Sequence, residues 1–497
     1  MSSLYVRFAL LGLLPAVPLL HAAISFSPLT AYYPRANPTA VAVADFNADG
    51  RRDLAVTVTN AVDILLGNGD GSFQAPVEYS VGSDRNPNSL ALGDFNGDGF
   101  PDIVVGSVDS GGNGKVAMLA GNGDGTFRTA VEYATAGSIE ALLAADFNAD
   151  GKLDIAAVNS STANVSVLVG NGDGTFRAAV NYNVQLGAKS LVGADFNIDG
   201  KVDLAVANSS SNTVSILFGN GDGTFQAAVS IATGSAPFSI VTGDFNRDGK
   251  ADLATANHGA GTVGIFLGKG DGTFQGAADI AVGTAPYRLA VGDFNGDFNS
   301  DLAVTDNVLN SVFLVAGNGD GTFGGPMSFS AGITPTLLAA ADLNGDAKPD
   351  LAIVDSTSIG VMLVISTQTI TFDNPGPRIF GSALGLTGTG SSGLAISYFS
   401  TTTGVCTVSG TTATLVTTGT CSLTALQPGN AFYSAATPVT QSFTVSTASQ
   451  AISFPNPGTR IFGTGPALTA TASSTLLAWS NPDEAETRKH KWTMTLG

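Results

Sequence analysis

Positive charge is scarce in this chain. Lys and Arg number 21 against 40 Asp and Glu, for a net charge of −19. Such a chain repels phosphate backbones, so no nucleic-acid partner is expected and cations are the natural counterpart. Histidine is scarcer still. Of three, His21 and His490 lie near the two ends and only His258 in the body, which speaks against zinc centres and Ser-His-Asp hydrolysis. Charged residues make up 12% and apolar ones 44%, too few and too many for a coiled coil or a disordered chain. Long apolar runs are absent beyond the start, so no transmembrane segment is expected. The first 22 residues, with Arg7, the apolar stretch Phe8–Leu20 and Leu20-His21-Ala22, read as a secretory signal peptide. The expected location is therefore secreted, extracellular or cell-surface associated. There the two cysteines, Cys406 and Cys421, are expected to form a disulfide closing a short loop.

What is abundant is glycine, 62 residues, and it recurs in phase. The string Asp-Phe/Leu-Asn-x-Asp-x-x-x-Asp begins at Asp45, Asp94, Asp146, Asp195, Asp244, Asp293 and Asp342, with five of six steps equal to 49 residues and one to 52. A second string, Gly-Asn/Lys-Gly-Asp-Gly-Ser/Thr-Phe, ends at Phe73, Phe127, Phe176, Phe225, Phe274 and Phe323 and is missing after the seventh acidic string. Between them lie four short apolar runs per unit, such as those beginning at Ser239, Asp252, Thr262 and Thr273. Four strands per unit of this length is the pattern of a propeller blade, and Asn-Gly and Asp-Gly steps suit hairpin turns. The seventh unit has three such runs. The segment 24–33 places Phe26 the usual 19 residues before Asp45, so it is expected to supply the missing fourth strand and close a seven-bladed ring.

Each acidic string sets oxygen side chains at positions 1, 3, 5 and 9 around a sharp turn, the front of a calcium loop flanked here by strands. The candidate ligands are Asp45, Asn47, Asp49 and Asp53; Asp94, Asn96, Asp98 and Asp102; Asp146, Asn148, Asp150 and Asp154; Asp195, Asn197, Asp199 and Asp203; Asp244, Asn246, Asp248 and Asp252; Asp293, Asn295, Asp297 and Asp301; and Asp342, Asn344, Asp346 and Asp350. A metal-free Asx turn needs one or two polar residues, not three carboxylates in nine. Up to seven Ca²⁺ are therefore expected. Phe298 and Ala347 replace the glycine at position 6, which predicts weaker sixth and seventh sites. The glycine-rich turns are expected to serve geometry, and His258 to be an ordinary loop residue.

At these loops, and at following strands such as Asp53-Leu54-Ala55-Val56, the chain resembles the FG-GAP/VCBS repeats shared with the integrin α-subunit head, over about residues 24–366. The resemblance implies an all-β, seven-bladed β-propeller with Ca²⁺ between the first two strands of a blade, and roles in adhesion and recognition. It also covers domains attached to enzymes. After Gln368 the texture turns rich in Ser and Thr, and the segment 368–447 resembles bacterial Ig-like repeats, an expected β-sandwich. A second, incomplete copy begins near 448, and its charged tail from Trp479 matches nothing earlier.

The domains expected are thus 1–22 signal, 23–367 propeller, 368–447 Ig-like sandwich and 448–497 partial repeat. The expected function is a non-catalytic, calcium-binding adhesion or recognition module for protein or glycan, acting as a monomer. An extracellular lyase or hydrolase, or a structural spacer, are the alternatives. Variable residues of the face formed by the second-to-third strand turns and the inter-unit connectors, Asn86–Asn88, Ser107–Lys115, Phe238, Tyr287 and Arg288, are the candidates for ligand contact.

Overall fold

In the second strand of nearly every repeat, such as Asp53–Val58 or Asp203–Asn208, every residue is buried, and in Asp102–Val108 all but the last. Successive side chains of a strand point to opposite faces, so such a strand must be covered on both. The computed structural model shows how. It describes residues 24–453 apart from 35, 36, 84 and 431, together with 456, 458, 459, 471 and 472. The expected signal peptide, and nearly all of the partial repeat after 448, lie outside the described residues.

Among the described residues there are strands and turns but no helix, and two compact units. The first comprises the described part of Met1–Thr367 together with Gly429–Ala435. It holds seven antiparallel four-stranded sheets. Sheets one to six are consecutive in sequence and begin with the strands Ala40–Ala44, Asn86–Gly93, Ile139–Ala145, Ala188–Ala194, Pro237–Gly243 and Pro286–Gly292. Sheet seven is built from Leu337–Ala341, Asp350–Val354 and Ile359–Met362, and its outer strand is Thr30–Tyr32, paired as Thr30 with Val361 and Tyr32 with Ile359. Beside it Ser25–Phe26 pairs with Val364–Ile365.

Neighbouring sheets share cores. Ala55, Val62 and Ile64 of sheet one pack with Ile103, Val105 and Leu119 of sheet two. On the other face of sheet one, Leu54 and Val56 pack with Ala352, Val354 and Val361 of sheet seven. The first strands of consecutive sheets touch in order, and that of sheet seven touches that of sheet one, so the series closes on itself. Each fully buried Val, Leu or Ile contributes on the order of 2 kcal/mol, which makes these shared cores the main stabilising term.

Two separate sets of loops result. The glycine-rich turn of one sheet reaches the acidic loop of the preceding one: Gly125 N–H donates to Phe46 O, Gly174 to Phe95 O, Gly223 to Phe147 O, and Gly71 of sheet one to Leu343 O of sheet seven. The connectors bond instead to the turns between second and third strands, as in Ser209 N–H to Gly187 O and His258 N–H to Ala236 O.

The second unit, Gln368–Pro428 and the described residues from Ala436 onward, carries a four-stranded sheet of Arg378–Ile379, Val439–Ser446, Gly419–Leu426 and Ser397–Ser400 and a three-stranded sheet of Ala383–Gly385, Thr412–Leu415 and Cys406–Ser409. The disulfide Cys406–Cys421 joins the two sheets, with Cα atoms 5.7 Å apart and both cysteines fully buried in a core with Phe372, Leu415, Leu423 and Phe443.

Candidate functional site

The acidic loops are built alike. In the first, the Asp45 carboxylate accepts the N–H groups of Asp49 (3.1 Å) and Gly50 (2.8 Å). Asn47 Oδ1 accepts Asp49 N–H (3.1 Å) and Asp49 Oδ1 accepts Arg51 N–H (2.9 Å). These bonds curl the chain so that positions 1, 3 and 5 lie on one tight bend. Position 9 is different. Asp53 is fully buried at the start of its strand and accepts Phe46 N–H (2.8 Å) and Gly67 N–H (2.7 Å), pinning the loop base to the glycine-rich turn. Asp102, Asp154, Asp203, Asp252 and Asp301 do the same, and Asp350 substitutes Val364 N–H for the missing turn. A Cβ on Gly67 would sit 2.0 Å from Arg52 O, so no other residue fits there.

Burial, and then repulsion from the carboxylates at positions 5 and 1, raises every position-9 pKa: Asp102 and Asp301 to about 6, Asp350 to about 7. Among the described residues no three His, Cys, Asp or Glu side chains stand at metal-coordinating spacing. The donor set nonetheless fits a hard cation. It is all oxygen, each carboxylate oxygen that accepts one N–H keeps a lone pair, and the mutual repulsion of positions 1, 5 and 9 is what a divalent ion relieves.

Two details were not read from the sequence. Position 4 of each loop is left-handed as well as position 6. The residues there are Ala48 (φ 57°), Gly97, Ala149, Ile198 (φ 58°), Arg247, Gly296 and Gly345. Position 6 is Gly except at Phe298 (φ 64°) and Ala347 (φ 65°), so six of the seven loops carry one strained non-glycine residue and only the second carries none. Strain therefore does not set the sixth and seventh loops apart. Cover sets apart the sixth alone: no glycine-rich turn follows the seventh unit to cap Phe294 of the sixth loop, whereas Leu343 of the seventh is capped by Gly71. In the turns themselves the aspartates serve geometry, as expected. Asp124 Oδ1 accepts Thr126 N–H (3.0 Å) and Oγ1–H (2.5 Å).

The connector candidates separate. Asp109 in the segment Ser107–Lys115 is held by Asn113 and by Arg85, which also pairs with Glu132 at 3.0 Å. Asn88 and Arg288, in contrast, line one cavity of about 210 Å³ formed where the first strands of all seven sheets meet. Phe238 and Tyr287 lie beside it, half-buried, with ring centroids 5.2 Å apart. His258 joins them, 4.7 Å from Phe238 and 5.9 Å from Tyr287, so it is part of a cluster rather than an isolated loop residue. Lys189 stands 5.8 Å over Phe238 and is paired with Glu140 at 2.9 Å. Arg288 lies 5.3 Å over the Tyr287 ring and donates to Phe238 O. Burial lowers its pKa without removing its charge.

Glu140, Lys189 and His258 were missed. The signal for the first two was in the phase of the repeat. The sixth residue before each acidic string runs Thr39, Asn88, Glu140, Lys189, Phe238, Tyr287, Thr336, and the fifth runs Ala40, Ser89, Ala141, Ser190, Ser239, Arg288, Leu337. One position repeats no residue but Thr, and in the other a single Arg breaks a series of mostly small residues.

No curated protein matches the chain. Among solved structures it is similar to BBS1N in its complex with ARL6DN, with a TM-score of 0.50 and 10% identity over 69% of this chain and 98% of that one. A lectin of Agrocybe aegerita described as recognising non-reducing terminal N-acetylglucosamine gives 0.45 and 19% over 65% and 86%. A periplasmic gluconolactonase of Pseudomonas aeruginosa gives 0.47 and 16% over 64% and 88%. At these identities the likeness concerns the fold alone. The FG-GAP-like repeat profile matches residues 45–105, 101–157, 146–206, 195–255, 244–304 and 293–353. Those matches run across more than half of the chain, and the protein belongs to the FG-GAP-like repeat family.

Proposed function

We propose that the protein is a secreted, calcium-stabilised recognition module without catalytic activity: a seven-bladed propeller closed by its N-terminal strand, followed by an Ig-like sandwich. The observation that carries this reading is the division of labour between the two loop sets. One repeats a single oxygen-rich design seven times, as a structural ion needs. Beside the other, the starts of three first strands and one turn gather a non-repeating group of aromatic and charged side chains, Phe238, His258, Tyr287, Lys189 and Arg288, as a specific ligand needs. Bound at positions 1, 3, 5 and 9, with a carbonyl at position 7, Ca²⁺ would neutralise the loop carboxylates and tie the first two strands of a blade together. Seven ions would offset about 14 of the 19 net negative charges. The sixth site, beside the uncapped Phe294, is the weakest in this reading.

The cavity contains one carboxylate, Glu140, already held by Lys189 and by Ser160 Oγ–H (2.9 Å). Glycoside hydrolysis uses two, which supports binding over cleavage. The intersheet disulfide and the absence, among the described residues, of any helix able to cross a membrane are compatible with an extracellular location. The test is attachment to a panel of glycans and matrix proteins in calcium. Phe238→Ala with Tyr287→Ala should abolish attachment and leave the melting temperature within a few degrees. Asp244→Ala with Asp248→Ala should lower stability first. Attachment that survives the aromatic changes while stability falls would show that these rings are packing.

A further inference from the structure

The cavity at the meeting of the first strands has polar atoms that the fold leaves unused. Asn88 donates through Nδ2 to Ile139 O, but its Oδ1 is buried without a partner. Ser89, 6% exposed, has an unpartnered Oγ. That is not the habit of this position. In sheets four and five the equivalent hydroxyls accept from the next sheet, Ser190 Oγ from Ile240 N–H (3.3 Å) and Ser239 Oγ from Leu289 N–H (3.2 Å). A buried polar atom without a partner is destabilising, so two lining one cavity point to something that enters and satisfies them.

The same cavity contains Arg288. Its guanidinium carries five N–H donors, one of which is given to Phe238 O. Glu140, the one carboxylate of the lining, pairs with Lys189 and also acts electrostatically on Arg288, so a single carboxylate faces two cations. One positive charge is therefore left over in a protein of net charge −19. The half-buried rings of Phe238, Tyr287 and His258 form one edge beside it. A volume of about 210 Å³ lies below the range of roughly 300–1,000 Å³ that drug-sized ligands occupy, so it admits one ring rather than several.

Resting on the recognition reading above, we infer that this cavity binds a single carboxylated sugar, its carboxylate on Arg288, its hydroxyls donating to Asn88 Oδ1 and Ser89 Oγ, and an apolar ring face against Tyr287 and Phe238. The carboxylate answers the spare cation. The hydroxyls answer the two unpartnered oxygens, which a simple anion or an aromatic acid does not. The sugar acid can be free or the terminal residue of an acidic polysaccharide.

The test is calorimetric titration of the full chain in calcium with glucuronate, glucose, benzoate and an oligosaccharide ending in glucuronate. Glucuronate should saturate with a Kd on the order of 1 mM, and glucose and benzoate should bind at least about tenfold more weakly. Oligosaccharide binding as tight as glucuronate, or tighter, identifies the polysaccharide source, and its exclusion identifies the free acid. Arg288→Gln should cost about tenfold or more. Because that side chain also bonds Phe238 O, Asn88→Asp provides a second reading. It keeps the shape, adds a like charge to the cavity and should also weaken glucuronate about tenfold, with melting in calcium unchanged for the variant that is read. The proposal is overturned if glucuronate does not bind, if glucose or benzoate equals it, or if a folded variant binds as wild type. Attachment to another ligand through the same face would then leave the recognition module standing. Glucuronate that binds and is consumed would instead contradict the non-catalytic reading and keep the site.

Discussion

Ile198 stands at position 4 of the fourth acidic loop with φ of 58°, a backbone that a β-branched side chain tolerates badly. Its side chain is exposed, so it gains little packing in return. Replacing Ile198 with Asn, which adopts this conformation readily, should stabilise the protein by about 1 kcal/mol, read from denaturant midpoints. Phe298→Asn should give a similar gain, since Phe298 is 87% exposed and equally left-handed. If Phe298→Asn stabilises far more than Ile198→Asn, the strain is not shared among the loops as argued. The position-9 carboxyls supply a second residue-level prediction. Their folded pKa values lie above the unfolded value of 3.8, Asp350 highest at about 7. A raised carboxyl contributes stability that is complete below its unfolded pKa and is lost as pH rises through the folded one. Metal-free protein should therefore lose stability between pH 4 and 7. In excess calcium the trend should reverse, because ionised carboxylates bind the ion. Parallel pH profiles with and without calcium would contradict this.

At the scale of elements, the outer strand Thr30–Tyr32 lies more than 320 residues from its partner Ile359–Val361, yet it fills the place that the sixth unit fills with its own Met327–Ser330. Phe26 repeats the role of the turn phenylalanines. Its ring lies edge-on to Phe329 at 5.1 Å, as Phe127 lies to Tyr79 at 5.3 Å. Deleting residues 23–34 should remove that pairing, expose the edge Ile359–Met362 and produce aggregation or broad unfolding, whereas deleting 448–497 should do neither. Equal solubility and sharp melting of both truncations would contradict the closure. This element was legible because Phe26 keeps the 19-residue phase to Asp45. The repeating strands, the loops and the disulfide were legible for the same kind of reason: each has a fixed local pattern. The run from Ala413 to Leu426 looks continuous in the sequence but forms two strands, Thr412–Leu415 and Gly419–Leu426. The bend between them at Thr417-Thr418 has no proline or paired glycine to mark it. The cavity cluster was only half legible, because Glu140, Lys189 and His258 become neighbours through the meeting of separate sheets and not through spacing along one.

At the scale of the molecule, a chain that places 21 aspartates in seven small loops must manage their repulsion. Backbone N–H groups take up part of it, as Asp45 and Asp53 show; the position-9 carboxyls, raised first by burial, are raised further by the carboxylates at positions 5 and 1. In the proposed function calcium takes up the remainder. Binding to the folded form alone stabilises it at every occupied site. Thermal unfolding of the full chain in EDTA, in excess Ca²⁺ and in excess Mg²⁺ tests this most directly. The melting temperature should fall by more than about 10 °C on chelation and return with Ca²⁺, and less with Mg²⁺, which demands a tighter octahedron and sheds water reluctantly. Identical melting in EDTA and in calcium would contradict the metal-stabilised propeller outright.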